Sequence, residues 1–370
     1  MFTRLGWRLP LALSLLVNAL HAAEIYVAPS GDDTNGNGSF ATPYRTIQRA
    51  ANTAVAGDTV YIRAGVYRET ITPAASGTAG ARITYRNYAS ESVTVSGADL
   101  ISSAAWTLDS GSIYKTPLAG SFFTSAFNQS LQVFVDGEMV TLAKWPNVTT
   151  KTNAYPSGIA EPVDISHPAK SVITSFVSKT RDTTAKLTTG VVTDSSLPLK
   201  PAGFYDGAEI YFQPNNGAWS WILSGLVTQV PANGTQITFT SRSDAGKDFN
   251  QVIYDPASRY YLFNKKEFLD SPGEWWHDKT NGQLYLWAPG SAVPSSRTVE
   301  VKKRDFAFNL TNRNYITLQG LTIFAASITT DSGSGGDATG YMINGSTNYP
   351  WRAAGYLAPS TGVIIDGITA

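Results

Sequence analysis

The chain contains no cysteine. An exported fold built from it must hold together without disulfides, which suits a large domain and not a small stapled one. Charge is also scarce. Only 15% of the 370 residues are charged, and 28 basic residues offset 28 acidic ones. A formal net charge of zero argues against gripping a long polyanion by bulk electrostatics, so nucleic acid is not an expected partner, although local basic grooves remain open. Beyond the first 23 residues the only histidines are His167 and His277. They are too few for a histidine-based zinc site, and no serine or cysteine nucleophile motif accompanies them. After the N-terminus no apolar run is long enough to span a bilayer, so no membrane span is expected.

The N-terminus does carry a shorter apolar run. Arg4 and Arg8 precede Leu9 to Leu20, and Ala22-Ala23 follows. Positive start, short apolar core and small-residue cleavage point together read as a secretory signal peptide over 1–23. The expected location is therefore secreted or periplasmic, with a mature chain beginning at Ala23 or Glu24. What remains is rich in glycine (32), proline (19) and aromatics (12%, with 9 Trp and 18 Tyr). That is a turn-rich, β-type composition, long enough for two domains.

The clearest local pattern surrounds Gly320. Tyr315, Thr317 and Gln319 alternate with Ile316 and Leu318, and Leu321, Ile323 and Ala325 resume the alternation beyond the glycine. A period of two marks a strand with one buried face. Strand, glycine corner and strand make one bent rung. Similar units run from Ser92 to Asp99 and from Gly362 to Thr369, which argues for stacked rungs that hide their apolar faces on one another. By this pattern Gly97 and Gly320 are equivalent corners, and Val93–Ser96 and Ile316–Leu318 are expected to share a sheet. Further strands are expected at Glu24 to Ala28, Thr59 to Arg63, Gly65 to Glu69 and Arg82 to Tyr88. A short helix opens at Thr46, with Ile47, Ala50, Ala51 and Ala54 on one face and Gly57 as its stop. Such a helix can cover the open end of a strand stack.

Three segments carry a resemblance: Tyr-Val-Ala-Pro-Ser-Gly-Asp-Asp (26–33), Pro-Tyr-Arg-Thr-Ile-Gln-Arg-Ala (43–50) and Gly-Asp-Thr-Val-Tyr-Ile-Arg-Ala-Gly-Val-Tyr-Arg-Glu (57–69). They resemble the N-terminal cap and first coils of right-handed parallel β-helix proteins of the pectate-lyase-like superfamily. The resemblance implies an all-β fold, a right-handed parallel β-helix with an N-terminal capping helix and a large inserted β-rich domain. Lyases, hydrolases and tail-spike-like binders all share that fold, so the reaction stays open. From about Leu100 the rung pattern is lost for some 200 residues. A hairpin around Asp136-Gly137 and strands at Ala208 to Phe212, Gln236 to Thr240 and Gly282 to Trp287 mark the insertion. The expected order is cap and first coils at 24–99, insertion at 100–298 and continued β-helix at 299–370. The last rung has no capping segment after it, so the chain is expected to be the N-terminal part of a longer protein, with little turnover of its own. Leu131 to Asn147 and Leu269 to Trp287 resemble segments of bacterial β-helix glycosidases with an inserted β domain.

Candidate chemistry follows from carboxylates and indoles. Asp33-Thr34-Asn35-Gly36-Asn37-Gly38 opens like a calcium loop, but Tyr44 stands at the twelfth position where a bidentate glutamate is needed, so a plain turn is expected. Glu274 and Asp278 flank Trp275-Trp276-His277. A carboxylate pair beside indoles fits a glycosidase, yet the Lys279-Thr280-Asn281-Gly282 turn makes a self-packed hairpin the plainer expectation. Trp219, Trp221, Trp275, Trp276 and Trp287 could stack on pyranose rings, with the first four as carbohydrate-binding candidates. Asp305, Asp331, Asp337 and Asp366 lie on or beside the coils; by resemblance rung carboxylates do the work in β-helix enzymes, which makes Asp331, Asp337 and Asp366 catalytic candidates. Lys302, Lys303 and Arg304 suit a lyase or a solvated edge. The expected partner is a carbohydrate polymer or oligosaccharide. Three functions stay open: a two-carboxylate glycoside hydrolase, a uronate lyase, and a non-catalytic glycan binder. No cofactor is expected, with calcium implied only for the lyase.

Overall fold

The computed structural model describes residues 22–118, 131–147, 173–182, 184, 187–213, 223–242, 259–330 and 360–369. The fold is nearly all β, and the chain divides into two compact units, Met1–Ala98 with Arg304–Ala370, and Asp99–Lys303.

The first unit is built from parallel strands. Its early elements are β1 (Glu24–Val27), α1 (Ile47–Ala51), β2 (Thr59–Ile62), β3 (Gly65–Tyr67), β4 (Ile83–Asn87) and β5 (Val93–Ser96). One sheet runs β1, β2, β4, Ile316–Gln319, Ile364–Asp366, every pair parallel. A second runs β3, β5, Thr322–Phe324. A third pairs Phe306–Asn309 with Ser327–Thr329, and Ile71 bridges to Phe308 beside them. The chain visits the three sheets in the same order each time. It passes β2, β3 and Ile71, then β4 and β5, and after the second unit Phe306–Asn309. It then passes Ile316–Gln319, Thr322–Phe324 and Ser327–Thr329.

The alternating pattern explains this arrangement. Ile25, Val60, Tyr85 and Leu318 are aligned by register across the first sheet and are all buried. Ile83 lies opposite Ile316, and Val27 opposite Ile62, all buried too. Parallel pairing without slippage stacks like on like, so each rung extends the same apolar column. Burying one such side chain fully is worth about 1.5–3 kcal/mol.

The register differs from the sequence expectation. Val93–Ser96 pairs with Thr322–Phe324, whereas Ile316–Gln319 pairs with β4, so the two belong to different sheets. Gly97 and Gly320 are accordingly not equivalent. Gly320 is a true corner at φ 65°, and a Cβ there would meet the Asn87 side chain at 2.4 Å. Gly97 is required by close approach instead, since a Cβ would lie 2.4 Å from the Ala325 carbonyl oxygen. Both look alike in sequence because either need selects glycine.

Helix α1 begins where expected. The Thr46 hydroxyl accepts from the Arg49 amide, and Glu69 accepts from the Ile47 and Gln48 amides at 2.9 and 2.8 Å. It stops at Ala51, short of Gly57; the buried Ala54 lies beyond it. Asp33 accepts from the Arg45 and Thr46 amides and the Thr46 hydroxyl, while Asp32 accepts from Thr34 and Asn35. Both carboxylates of the calcium-loop-like segment thus serve the chain's own turns.

The second unit is dominated by antiparallel pairs. A seven-stranded sheet includes Glu209–Gln213, Leu223–Gln229, Gln236–Arg242, Leu187–Thr193 and Arg259–Phe263. A five-stranded sheet is centred on the hairpin of Glu274–Asp278 and Gln283–Trp287. That hairpin separates two apolar cores. Tyr285 packs with Ile210, Val227, Phe239 and Leu262, while Trp275, Leu284 and Leu286 pack with Val133, Val135 and Val299. Asp136 and Gly137 both take positive φ, 53° and 83°, and turn Val133–Val135 into Glu138–Met139 as the Asp-Gly pair predicts.

Candidate functional site

The face of the first sheet opposite the apolar columns is polar and follows directly from the register. Tyr26, Tyr61, Arg86, Gln319 and Asp366 are consecutive partners across its five strands. A second outward row holds Glu24, Thr59, Thr84, Thr317 and Ile364. Strands lie about 4.8 Å apart, so each row extends roughly 20 Å. A polymer could lie across that length.

One end of the row is aromatic. Tyr26 stacks on Tyr61 with ring centres 5.4 Å apart, and both meet Tyr88 edge-on. Phe40 packs on Tyr26 and Tyr88. The Arg63 guanidinium lies over the Phe40 and Tyr88 rings at 5.3 and 5.0 Å, while its Nε donates to both Glu91 oxygens at 2.9 and 3.0 Å. Arg63 and the Ala64 amide hold the Glu91 carboxyl below its usual range. Tyr26 donates to Glu24 at 2.8 Å, and that bond, with burial, pushes the phenol up to about 12.

The other end holds Asp366, which is exposed and accepts from the Gln319 amide nitrogen at 3.0 Å. Among the described residues the other carboxylate in these two rows is Glu24, on the far edge strand, well beyond the 5–10 Å that separates a glycosidase pair. Asp331, Asp337, Trp219, Trp221 and His167 lie outside the described residues.

The remaining candidates belong to the second unit's interior or to turns. Trp275 is 5% exposed and donates from Nε1 to the Val140 carbonyl. Its expected role as an open sugar platform is corrected, because its ring is consumed by the core. Trp276 is half-buried against Tyr285, ring centres 5.3 Å apart. Glu274 is buried, accepts from the Asp270 and Ser271 amides, and is pushed up to about 8 by burial. Lys144, on a distant stretch of the chain, is buried too and is drawn down to about 8 by the same cause. Burial likewise lowers His277 to about 4. Asp278 accepts from Thr280 and from the Asn281 amide and side chain, which keeps it low. Glu274 and Asp278 therefore do different jobs and make no acid–base pair. In the basic run, Lys303 meets Asp99 at 3.2 Å. Asp305 offers its carbonyl to Ser327.

Sequence reading missed Tyr26, Tyr61 and Arg86. The signal was present. Aligned on their apolar positions, Glu-Ile-Tyr-Val, Thr-Val-Tyr-Ile, Thr-Tyr-Arg-Asn, Thr-Leu-Gln-Gly and Ile-Ile-Asp-Gly put the five row residues in one column.

The class so defined is a nearly all-β protein whose first unit stacks parallel strands into repeating turns. No family model matches the chain. A stretch of 94 residues, a quarter of the chain, is 42% identical to uncharacterized protein YwoF of Bacillus subtilis, covering 18% of that protein. Another 87-residue match, 23% of the chain, is 42% identical to pectate lyase PEL9 of Emericella nidulans, covering 21% of it. The chain thus spans about a fifth of these relatives' length. A solved structure described as a glycoside hydrolase has the same fold over 83% of this chain and 51% of its own, at 19% identity and a TM-score of 0.56.

Proposed function

We propose that the protein is a secreted, carbohydrate-active enzyme on a right-handed parallel β-helix, a glycoside hydrolase that lays its glycan along the outer row from Tyr26 to Asp366. The observation that carries this reading is the row itself: two tyrosines, a guanidinium, an amide and a carboxylate held at fixed spacing on an open sheet face. Aromatic rings pack on pyranose faces, and planar polar groups bind ring hydroxyls. The fold shared with a glycoside hydrolase and the local identity to a pectate lyase support carbohydrate as the ligand class. Asp366 supplies one carboxylate in this reading, and Asp331 and Asp337 are the candidates for the second. The insertion of the second unit and export through residues 1–23 belong to the same proposal.

A lyase is the second reading. It is favoured by the pectate lyase match and by the guanidinium groups on the same face. One assay separates them. The protein is incubated with a glycan panel while reducing ends and the absorbance of unsaturated uronates are both read. New reducing ends without that absorbance, lost in Asp366→Asn and in one of Asp331→Asn and Asp337→Asn, are expected. Unsaturated products would move the assignment to the lyase. Full activity in all three variants would remove these carboxylates from the mechanism.

A further inference from the structure

Asp58 is buried, 4% exposed, at the position just before β2. Its carboxylate joins two elements of the cap. Oδ2 accepts from the Val55 amide, beyond the end of α1, and Oδ1 accepts from the Ala23 amide, just before β1, each at 2.8 Å. Its backbone serves the same junction, with its amide donating to the Val55 carbonyl and its carbonyl accepting from Thr84 in β4. Both carboxylate oxygens therefore have a donor, but the donors are neutral. Asp58 takes part in none of the ion pairs found among the described residues. A carboxylate placed so deep is best held by a cation as well as by amides.

The Ala23 nitrogen is where that cation can arise. An export leader over the first residues could be cut after Ala22 or after Ala23, and the residue types do not choose between them. The hydrogen bonds do. Ala23 is engaged at both ends: its N–H donates to Asp58, and its carbonyl accepts from the Thr59 amide at 2.9 Å. A cut after Ala23 removes both bonds and leaves the buried Oδ1 of Asp58 without its donor. A cut after Ala22 keeps both bonds and leaves an α-ammonium at the place of the amide. Ala22 and Ala23 are themselves exposed, so the leader can be lost without taking core residues with it.

We propose that the mature chain begins at Ala23 and that its new α-ammonium pairs with Asp58, so that removal of the leader locks β1 onto the cap. This rests on the export reading given above and goes beyond it. Water hydrolyses the Ala22–Ala23 bond. Its oxygen joins the Ala22 carbonyl carbon, which leaves as a carboxylate, and the Ala23 nitrogen gains two protons to become the ammonium. Before the cut the nitrogen is a neutral donor. After it the bond to Asp58 is charge-assisted, about twice as strong as a neutral one. The strand that opens the parallel sheet is thus held weakly while the leader is attached and firmly once it is gone.

Two measurements test it. Intact mass and N-terminal sequencing of the protein made in an exporting bacterium should give Ala23 as the first residue. Exported protein that begins at Glu24 or elsewhere would overturn the proposal while sparing the export reading. Protein left in the cytoplasm with Met1 retained would overturn both. Hydrogen exchange read by mass spectrometry then compares the chain beginning at Ala23 with the same chain acetylated on that nitrogen. Acetylation keeps the N–H and removes only the charge. Peptides within Ala23–Ile62 are expected to exchange roughly threefold faster or more when acetylated, while peptides of the second unit stay unchanged. Asp58→Asn should abolish the difference. If that variant does not fold, the acetylated pair on the wild-type chain still decides. Equal exchange with and without the acetyl group would overturn the pairing. A difference that persists in Asp58→Asn would give the ammonium another partner and overturn the assignment to Asp58.

Discussion

The two units place their ionisable groups in opposite ways. In the first, tyrosines aside, the acid or base buried among the described residues is Asp58, and it is satisfied by the Ala23 and Val55 amides at 2.8 Å each. In the second, Lys144, Asp194, Glu274, His277 and Glu300 are all buried. The cause is topological. Parallel stacking repeats each position from rung to rung, so inward columns stay apolar and charge moves to the outer rows and corners. The hairpin of the second unit has a core on each face, so alternate residues have no open side to escape to. One unit thus exposes its chemistry in rows, and the other stores it inside as sensitivity to pH and substitution.

The largest expected effect tests the apolar columns. Leu318 is fully buried and paired with Tyr85 and Ile365 in register. Leu318→Ala should destabilise the protein by about 2–5 kcal/mol through lost burial and the cavity left behind. Denaturant unfolding followed by far-UV circular dichroism reads it. A cost below about 1 kcal/mol would mean the columns do not hold the first unit.

Next is a buried polar link in the second unit. Tyr260 is fully buried and donates to Asp194 Oδ2 at 2.7 Å, while Oδ1 accepts from the Ser196 amide and hydroxyl. Burial and the Asp194 charge hold the phenol far above its usual range, so it remains a donor. Tyr260→Phe keeps the ring and removes the donor, and should cost about 1.5–3 kcal/mol. Seven of the nine tryptophans lie between Asp99 and Lys303, so indole fluorescence reports chiefly on this unit.

The third prediction uses the buried titrating groups. Glu274 holds its proton to about pH 8 when folded, against an ordinary value of 4.5, so the unfolded chain releases it first and stability falls as pH rises through that window. His277 is lowered from 6.5 to about 4, so its contribution falls as pH drops through that range. The two oppose each other below pH 6.5. From 6.5 to 8 Glu274 acts alone, at about 1.4 kcal/mol per pH unit, or about 2 kcal/mol in all. Above pH 8 Lys144, lowered from 10.5 to about 8, reverses the slope. Glu274→Gln should flatten the fall between 6.5 and 8 in urea melts. If the slope survives the substitution, the buried carboxyl is not its source.

The contrast between units also explains what could be read from the residues alone. The rungs at β1 to β5, the helix start at Thr46 and the Asp136-Gly137 hairpin depend on neighbours a few positions apart, and each was legible. The pairing of β5 with Thr322–Phe324 depends on which turn of the chain follows which, across more than 200 residues, and glycine at 97 and 320 hid the difference. The outer row was missed for the same reason: its column stands in the five segments, but Tyr26 and Asp366 fall in one row only once four registers align those segments. In the second unit, strands such as Leu223–Gln229 lacked any rung signal, and the indoles of Trp275 and Trp276 look the same whether they face a ligand or a core. Burial, not residue type, separates those cases.

The smallest expected effect sharpens the comparison at the surface of the first unit. Arg63 and Glu91 are partly exposed, with side-chain exposures of 35% and 25%. Water and salt screen such a pair, so its charge alone should contribute little. Geometry adds to it: the guanidinium is planar, meets both carboxylate oxygens, and lies over Phe40 and Tyr88. Lysine would keep the charge while losing the fork and much of the stacking. Arg63→Lys should therefore lower the melting temperature slightly, and Arg63→Met by about the same amount, because the planar fit matters more than the charge. The melting difference between wild type and Arg63→Lys should survive 0.5 M salt, where a purely Coulombic term would be largely screened. If salt erases it, charge rather than shape holds this corner. The outer face of the first unit would then stand on weaker ground than the buried links of the second.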